Sequence, residues 1–220
     1  MRLHSKRLRA ILDHLRDTRV LYDVGTDHAY LPIAAVKELG VEKAIAVDNK
    51  LGPLSRAEKN VEEADLSHAI GLKHIDGLQA LTDDVDTVVV AGLGGHTIYN
   101  VIHEADLKHV KRFVLQPNDH PEMVRMLCDI RPLAIIEETY AIERDTFYPI
   151  IVMEEGSMTL SESERYYGPI LIQKREKAYM RELIKEYARL LIMIEQVPQR
   201  DKLPLITKKA LLEEIFYERK

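Results

Sequence analysis

The sequence predicts an α/β protein: a mostly parallel sheet covered by helices on both faces, followed by an all-helical appendage. Three observations carry this. Short, nearly all-apolar runs alternate with helical patterns between residues 20 and 130, which is how strands buried on both faces read. Two extended runs, "LAIIEETYAIE" and "TFYPIIVMEEG", then succeed each other with the polar pair Arg144–Asp145 between them, as in an antiparallel hairpin. After Gly156 the apolar spacing is helical throughout.

The elements follow in order. Leu8, Ile11, Leu12 and Leu15 make residues 5–17 an amphipathic helix, with Ser5 as its cap. "RVLYDVG" is a strand ending in glycine, and "PIAAVKELG" a helix entered at Pro32 and left at Gly40. "KAIAVD", "GPLSRAEKNVEEADL", "AIGLKHID", "TVVVAGL", "HTIYNVIHEA", "RFVLQPN" and "HPEMVRMLCDI" read as strand, helix, strand, strand, helix, strand and helix. The hairpin closes the sheet. A Rossmann-like sheet finished this way is the architecture of class I methyltransferases. In the appendage, Tyr179, Leu183, Tyr187, Leu190, Ile194 and Val197 form one helical stripe. Pro198 and Pro204 are expected to break it, and Ile206, Ala210, Leu211 and Ile215 mark a last helix. The expected arrangement is an antiparallel helix pair.

Composition bounds the setting. The chain has 220 residues and one cysteine, Cys128, so it forms no internal disulfide. No apolar run is long enough to span a membrane. We expect a cytoplasmic protein with no metal and no membrane partner; the helix stripe suits either an internal pair or a partner chain, so the oligomeric state stays open, with a monomer favoured. The net charge is −5, with residues 1–19 at +4 and residues 160–220 at +3, so the middle carries −12. Basic ends flanking an acidic body read either as solvated helix faces or as a footprint for a polyanion.

In an open α/β sheet, ligands bind beyond the carboxyl ends of the strands. The polar and glycine punctuation falls on that rim: "DVGTDH", Asp48, Asp76–Gly77, Ala91–Gly95 and Gln116–Asp119. Gly25 lacks the glycine spacing that lets backbone N–H groups reach a pyrophosphate, and Asp27 would repel one. A sulfonium cofactor is cationic and has no phosphate. Asp48 lies 23 residues after Gly25, where an acid accepts both ribose hydroxyls; Asp76 lies where a carboxylate meets an adenine amino group. This pattern points to S-adenosylmethionine. Plainer readings stand beside it. Asp27 and Asn118 also suit helix caps, Asp48 and Asp76 suit turns, His28 suits a structural role, and Gly92, Gly94 and Gly95 suit close helix–strand approach.

"SKRL", "DVGTDHAYLP", "VDNKLGPLSRAEKN", "DGL", "AGLGG" and "LQPN" together closely resemble the bacterial tRNA (adenine-22-N1)-methyltransferases, the TrmK family. The match runs in order through residues 5–118 and continues into "TFYPIIV". The resemblance implies an S-adenosylmethionine-dependent methyltransferase domain over residues 1–157. It also implies a coiled-coil-like helical domain over 158–220 that contacts tRNA. Carried over residue by residue, it gives Gly25, Asp27, Asp48, Asn49, Asp76, Gly77, Ala91, Gly92, Leu93, Gly94 and Gly95 to the cofactor. Asp27, His28, Tyr30 and Asn118 become the catalytic group facing the acceptor base. Gln116, Arg7 and Lys6 fall to the substrate or the tRNA backbone. A methyltransferase for another RNA base or a small molecule, a non-catalytic RNA-binding protein of this fold, and a nucleotide-dependent oxidoreductase are the rival readings.

Overall fold

The computed structural model describes residues 3–82, 84–107 and 109–217. The chain divides into two compact units, Met1–Met158 and Thr159–Lys220.

In the first unit, α1 (Lys6–Leu12) starts at Ser5, whose hydroxyl accepts the Leu8 N–H, and a 3-10 turn (Asp13–Leu15) continues it. Five strands follow in parallel: β1 (Val20–Val24), β2 (Lys43–Asp48), β3 (Ile70–His74), β4 (Thr87–Leu93) and β5 (Arg112–Pro117). Between them run α2 (Tyr30–Ala34), α3 (Leu51–Glu63) and α4 (Gly95–His103). A π-helical stretch over Ala35–Leu39 prolongs α2 to Gly40, whose φ of +73° ends it. The helix expected after β5 is divided at Met126 into α5 (Pro121–Arg125) and α6 (Leu127–Ile130).

β6 (Leu133–Glu143) and β7 (Thr146–Glu155) form the expected hairpin. Arg144 and Asp145 both take positive φ, +51° and +61°, as a two-residue type I′ turn requires. The sheet order is β3-β2-β1-β4-β5-β7-β6, with β7 antiparallel to β5. Leu21, Ala44, Ala46, Val89, Val114 and Val152 share a core with Ile11, Leu15, Ile33, Ala57 and Val61. Their strand neighbours Tyr22, Ile45, Val88, Val90 and Leu115 are equally buried; side chains alternate across a strand, so both faces are covered, as the continuous apolar runs require. The order of connection reverses between β1 and β4, which places the ligand crevice at their carboxyl ends.

The second unit is helical: α7 (Glu162–Tyr167), α8 (Pro169–Lys174), α9 (Lys177–Gln196) and α10 (Lys202–Tyr217). Ser161 and Glu164 form a reciprocal capping box at α7. Tyr179, Leu183 and Leu190 of the predicted stripe are buried, and Tyr187 packs edge-on against Phe216 of α10. Two expectations need correction. Pro204 does not break a helix; it sits in the first turn of α10, where no N–H is required of it. Of the residues expected to mark the last helix, Leu211 and Ile215 are buried, together with Leu212, whereas Ile206 and Ala210 are exposed.

Candidate functional site

After Val24 the backbone turns sharply. The N–H groups of Gly25 and Thr26 both donate to the Val47 carbonyl, at 2.9 and 3.0 Å, tying the β1 loop to β2. Gly25 has φ +71°, and Asp27 (+48°) and Ala29 (+55°) are also left-handed, a conformation that costs energy in residues with a Cβ and collects at functional sites. Asp27 does not cap α2, which has no side-chain cap. Its carboxylate meets Arg56 of α3 at 2.8 Å and stands 3.6 Å from His28 Nε2. The His28 ring stacks on Tyr30, with centroids 4.9 Å apart and planes 5° from parallel. Asn60 donates to the His28 carbonyl at 2.9 Å. Tyr30 also forms one wall of an apolar recess of about 230 Å³ with Leu3, Leu8, Ile33 and Ala34.

Asp48 ends β2 almost buried, at 8% exposure, accepting the N–H of Lys50 at 2.9 Å and of Asp27 at 3.4 Å. Asn49 donates to Asp76 at 3.2 Å. Beyond β3, Asp76 and Gly77 open a cavity of about 440 Å³ shared with Leu78, Asn100, Val101 and Glu104.

The β4 end is built differently. Gly92 has φ +76° at an irregularity in the β4–β5 register. Its N–H donates to Gln116 Oε1 at 3.2 Å, and its carbonyl accepts from Asn118 Nδ2 at 2.6 Å. Asn118 is therefore not a helix cap; its side chain spans β5 to β4. Gly94 and Gly95 serve close approach, because a Cβ on Gly94 would meet Asp119 Oδ1 at 3.0 Å and one on Gly95 the His120 carbonyl at 2.1 Å. A Cβ on Gly25 would touch Leu93 at 3.7 Å, so the β1 and β4 loops adjoin at the crevice. Arg7 reaches across from α1 to Gln116 Oε1 at 2.8 Å and Asn118 Oδ1 at 3.4 Å. Lys6 is exposed. Gln116 is fully buried with both ends of its carboxamide engaged, so it bears on the rim only through Gly92 and Asn118.

The residues expected to face an acceptor thus form two groups, Asp27–His28–Tyr30 with Arg56, and Arg7–Gln116–Asn118 with Gly92. Among the described residues no hydrogen bond or ring contact joins them. Sequence reasoning gave no place in the site to Arg56, Tyr148 or Glu143, and placed Asp23, Thr26 and Asp119 on the rim without a role of their own. Asp23 carried a signal, as an acid inside an apolar strand. It is 4% exposed, and burial lifts its carboxyl from 3.8 to about 7, with the charge of Asp48 adding to this and the Thr26 hydroxyl opposing it.

A folded-state value above the unfolded one makes this group's contribution to stability full below pH 3.8 and lost as pH rises through about 7. Asp23→Asn should abolish that slope. Thermal melts from pH 4 to 8 should then be flatter than wild type, with the variant the more stable at pH 8 by up to about 4 kcal/mol. Parallel pH profiles for the two proteins would refute the assignment.

Comparisons with known proteins identify the family. The chain matches the family described as TrmK, tRNA (adenine(22)-N(1))-methyltransferase, over residues 21–217. It is 29% identical over 205 residues to the Bacillus subtilis tRNA (adenine(22)-N(1))-methyltransferase, covering 89% of this chain and 86% of that one. The crystal structure of B. subtilis TrmK superposes with a TM-score of 0.88 at 27% identity, covering 97% of this chain and 98% of that one. Streptococcus pneumoniae Sp1610 in complex with S-adenosyl-L-methionine superposes with a TM-score of 0.90 at 32% identity, covering 98% and 100%. With nearly its whole length matched in sequence and in fold, the chain belongs to the TrmK family of tRNA (adenine(22)-N(1))-methyltransferases.

Proposed function

We infer that the strand-end rim is the active site of an enzyme that transfers a methyl group from S-adenosylmethionine to N1 of adenine 22 in tRNA. The observation that carries this is the rim's donor set. A glycine loop at β1 and acids at the end of β2 and just past β3 surround the crevice, without the glycine spacing a pyrophosphate needs. The residues suit S-adenosylmethionine. Asp48 carries a near-buried carboxylate at the crevice, and the cavity opens at Asp76 and Gly77. We assign the cofactor to Gly25, Asp48, Asn49, Asp76, Gly77 and the Ala91–Gly95 loop. When bound, it supplies an electrophilic methyl group on a cationic sulfur.

Adenine N1 carries an in-plane lone pair and is unprotonated at neutral pH, so no general base is required. The protein has to orient N1, exclude water and accommodate the positive charge that arises on the base. Because N1 lies on the pairing edge, the adenine must be unpaired or flipped out. Tyr30, already stacked on His28 and bordering an apolar recess, offers a face for it. Arg56 occupies one oxygen of Asp27 and offsets its charge, so we assign the other oxygen to the adenine amino group. The basic residues of the helical unit are proposed to hold tRNA phosphates. Among the described residues no helix is long and apolar enough to cross a membrane, and we propose a cytoplasmic monomer; a dimer in sedimentation equilibrium would overturn the latter.

Incubation with methyl-labelled S-adenosylmethionine and bulk tRNA, followed by nuclease digestion and mass spectrometry, should place the label in 1-methyladenosine at position 22. Label on N6, or none in tRNA, would overturn the reading. A chain ending at Met158 should keep cofactor affinity and bind tRNA more weakly; equal tRNA affinity would remove the helical unit from the interface.

A further inference from the structure

We propose that Arg7 is a positioning residue for methyl transfer, acting through Gln116 and Asn118 on the Gly92 peptide, and that it does not grip the tRNA backbone. The inference rests on the methyltransferase reading of the rim.

A carboxamide offers a donor end and an acceptor end, and its neighbours decide which way it faces. Gln116 Oε1 lies between two donors, Arg7 Nη1 at 2.8 Å and the Gly92 N–H at 3.2 Å. The flipped amide would set donor against donor on both sides. Gln116 Nε2 is therefore directed to the Pro117 carbonyl at 2.7 Å and Asn118 Oδ1 at 3.3 Å. With Arg7 also donating to Oδ1 at 3.4 Å, Asn118 must present Nδ2 to the Gly92 carbonyl, at 2.6 Å. One cation thus sets two carboxamides, and these hold both polar groups of Gly92. That residue sits at φ +76° in the crevice, directly under Arg7, whose Nη1 is 2.9 Å from where a Cβ would stand.

Arg7 is itself held in place. Its guanidinium lies over the Tyr148 ring, 5.4 Å from the centroid. Glu143 takes the Ser5 hydroxyl at 2.9 Å and the Arg7 N–H at 3.4 Å, fixing the start of α1 to the hairpin. A guanidinium engaged on the rim in this way is poorly placed to follow a phosphate, whereas exposed Lys6 beside it is free to do so.

Misplacing a reacting geometry by about 1 Å costs on the order of 100-fold in rate. Arg7→Met keeps the stem and removes the donors. It should lower kcat by about 100-fold, leave the KM for tRNA within about threefold, and leave the salt dependence of tRNA binding unchanged. Arg7→Lys, with one donor, should recover part of the loss. Gln116→Met should match Arg7→Met, and the double variant should be no worse than either, because the residues act as one unit. Amide exchange at Gly92, read by NMR on the free protein, should accelerate in Arg7→Met. A kcat near wild type with the logarithmic salt slope reduced by about 1, as a phosphate contact gives, would overturn the proposal. So would unchanged exchange at Gly92. If the wild type binds cofactor but methylates no tRNA, the functional reading fails, and the Gly92 exchange still decides the role of Arg7.

Discussion

Asp48→Ala is expected to weaken S-adenosylmethionine binding by about 100-fold or more, because two hydrogen bonds to a carboxylate contribute roughly 1.5–3 kcal/mol each. The position gives the change its weight. Asp48 closes β2 at 8% exposure, beside the crevice between β1 and β4. It also accepts the backbone N–H groups of Lys50 and Asp27, so alanine strands two donors and loosens the β1 loop. That second effect is separable. Asp48→Asn keeps an acceptor for only one of the two N–H groups, which the two carboxylate oxygens share between them, and loses the charge, so it should melt between wild type and Asp48→Ala while still binding cofactor at least about tenfold more weakly. Calorimetric titration of both variants, with melting curves beside them, checks the assignment. Wild-type affinity in Asp48→Ala would be incompatible with a ribose-binding role.

Much of this arrangement was legible because it follows from local rules. The strands read as apolar runs since both faces of the sheet are covered, and the hairpin showed itself because Arg144–Asp145 leaves only two residues for the turn. Asp48 and Asp76 were legible because they stand at the ends of runs, where the chain leaves the sheet. What stayed hidden depends on contacts between distant segments. Arg56 meets Asp27 because α3 packs beside the β1 loop, and nothing within "LSRAEK" marks that. Gln116 looked like a rim residue because it ends a strand; its burial follows from Arg7 arriving 109 positions away in sequence. The glycines of "AGLGG" suggested a path for the ligand, yet two of the three are required by the turn after β5.

That last point yields the other large effect. Gly95→Ala should both destabilise the protein and abolish methyl transfer, although Gly95 has no left-handed backbone to excuse it. A Cβ there would stand 2.1 Å from the His120 carbonyl oxygen and 2.8 Å from that of Asp119. Both obstacles are backbone, so no side chain can swing away; the turn after β5 has to retreat by about 1 Å, at an overpacking cost of about 3 kcal/mol. For a chain of this size that lowers the melting temperature by roughly 6–12 °C. The same retreat pulls on Asn118, whose N–H bonds the Leu93 carbonyl at 2.8 Å and whose side chain holds Gly92. Gly40→Ala is the informative control. Gly40 has φ +73° with nothing within 4 Å of a Cβ, so alanine there incurs a conformational cost of about 1–2 kcal/mol alone. It should melt a few degrees lower and methylate normally. If Gly95→Ala instead behaved like Gly40→Ala, with stability reduced and turnover intact, the β5 turn would be a scaffold only, and the coupling from Asn118 to Gly92 would have no part in the chemistry.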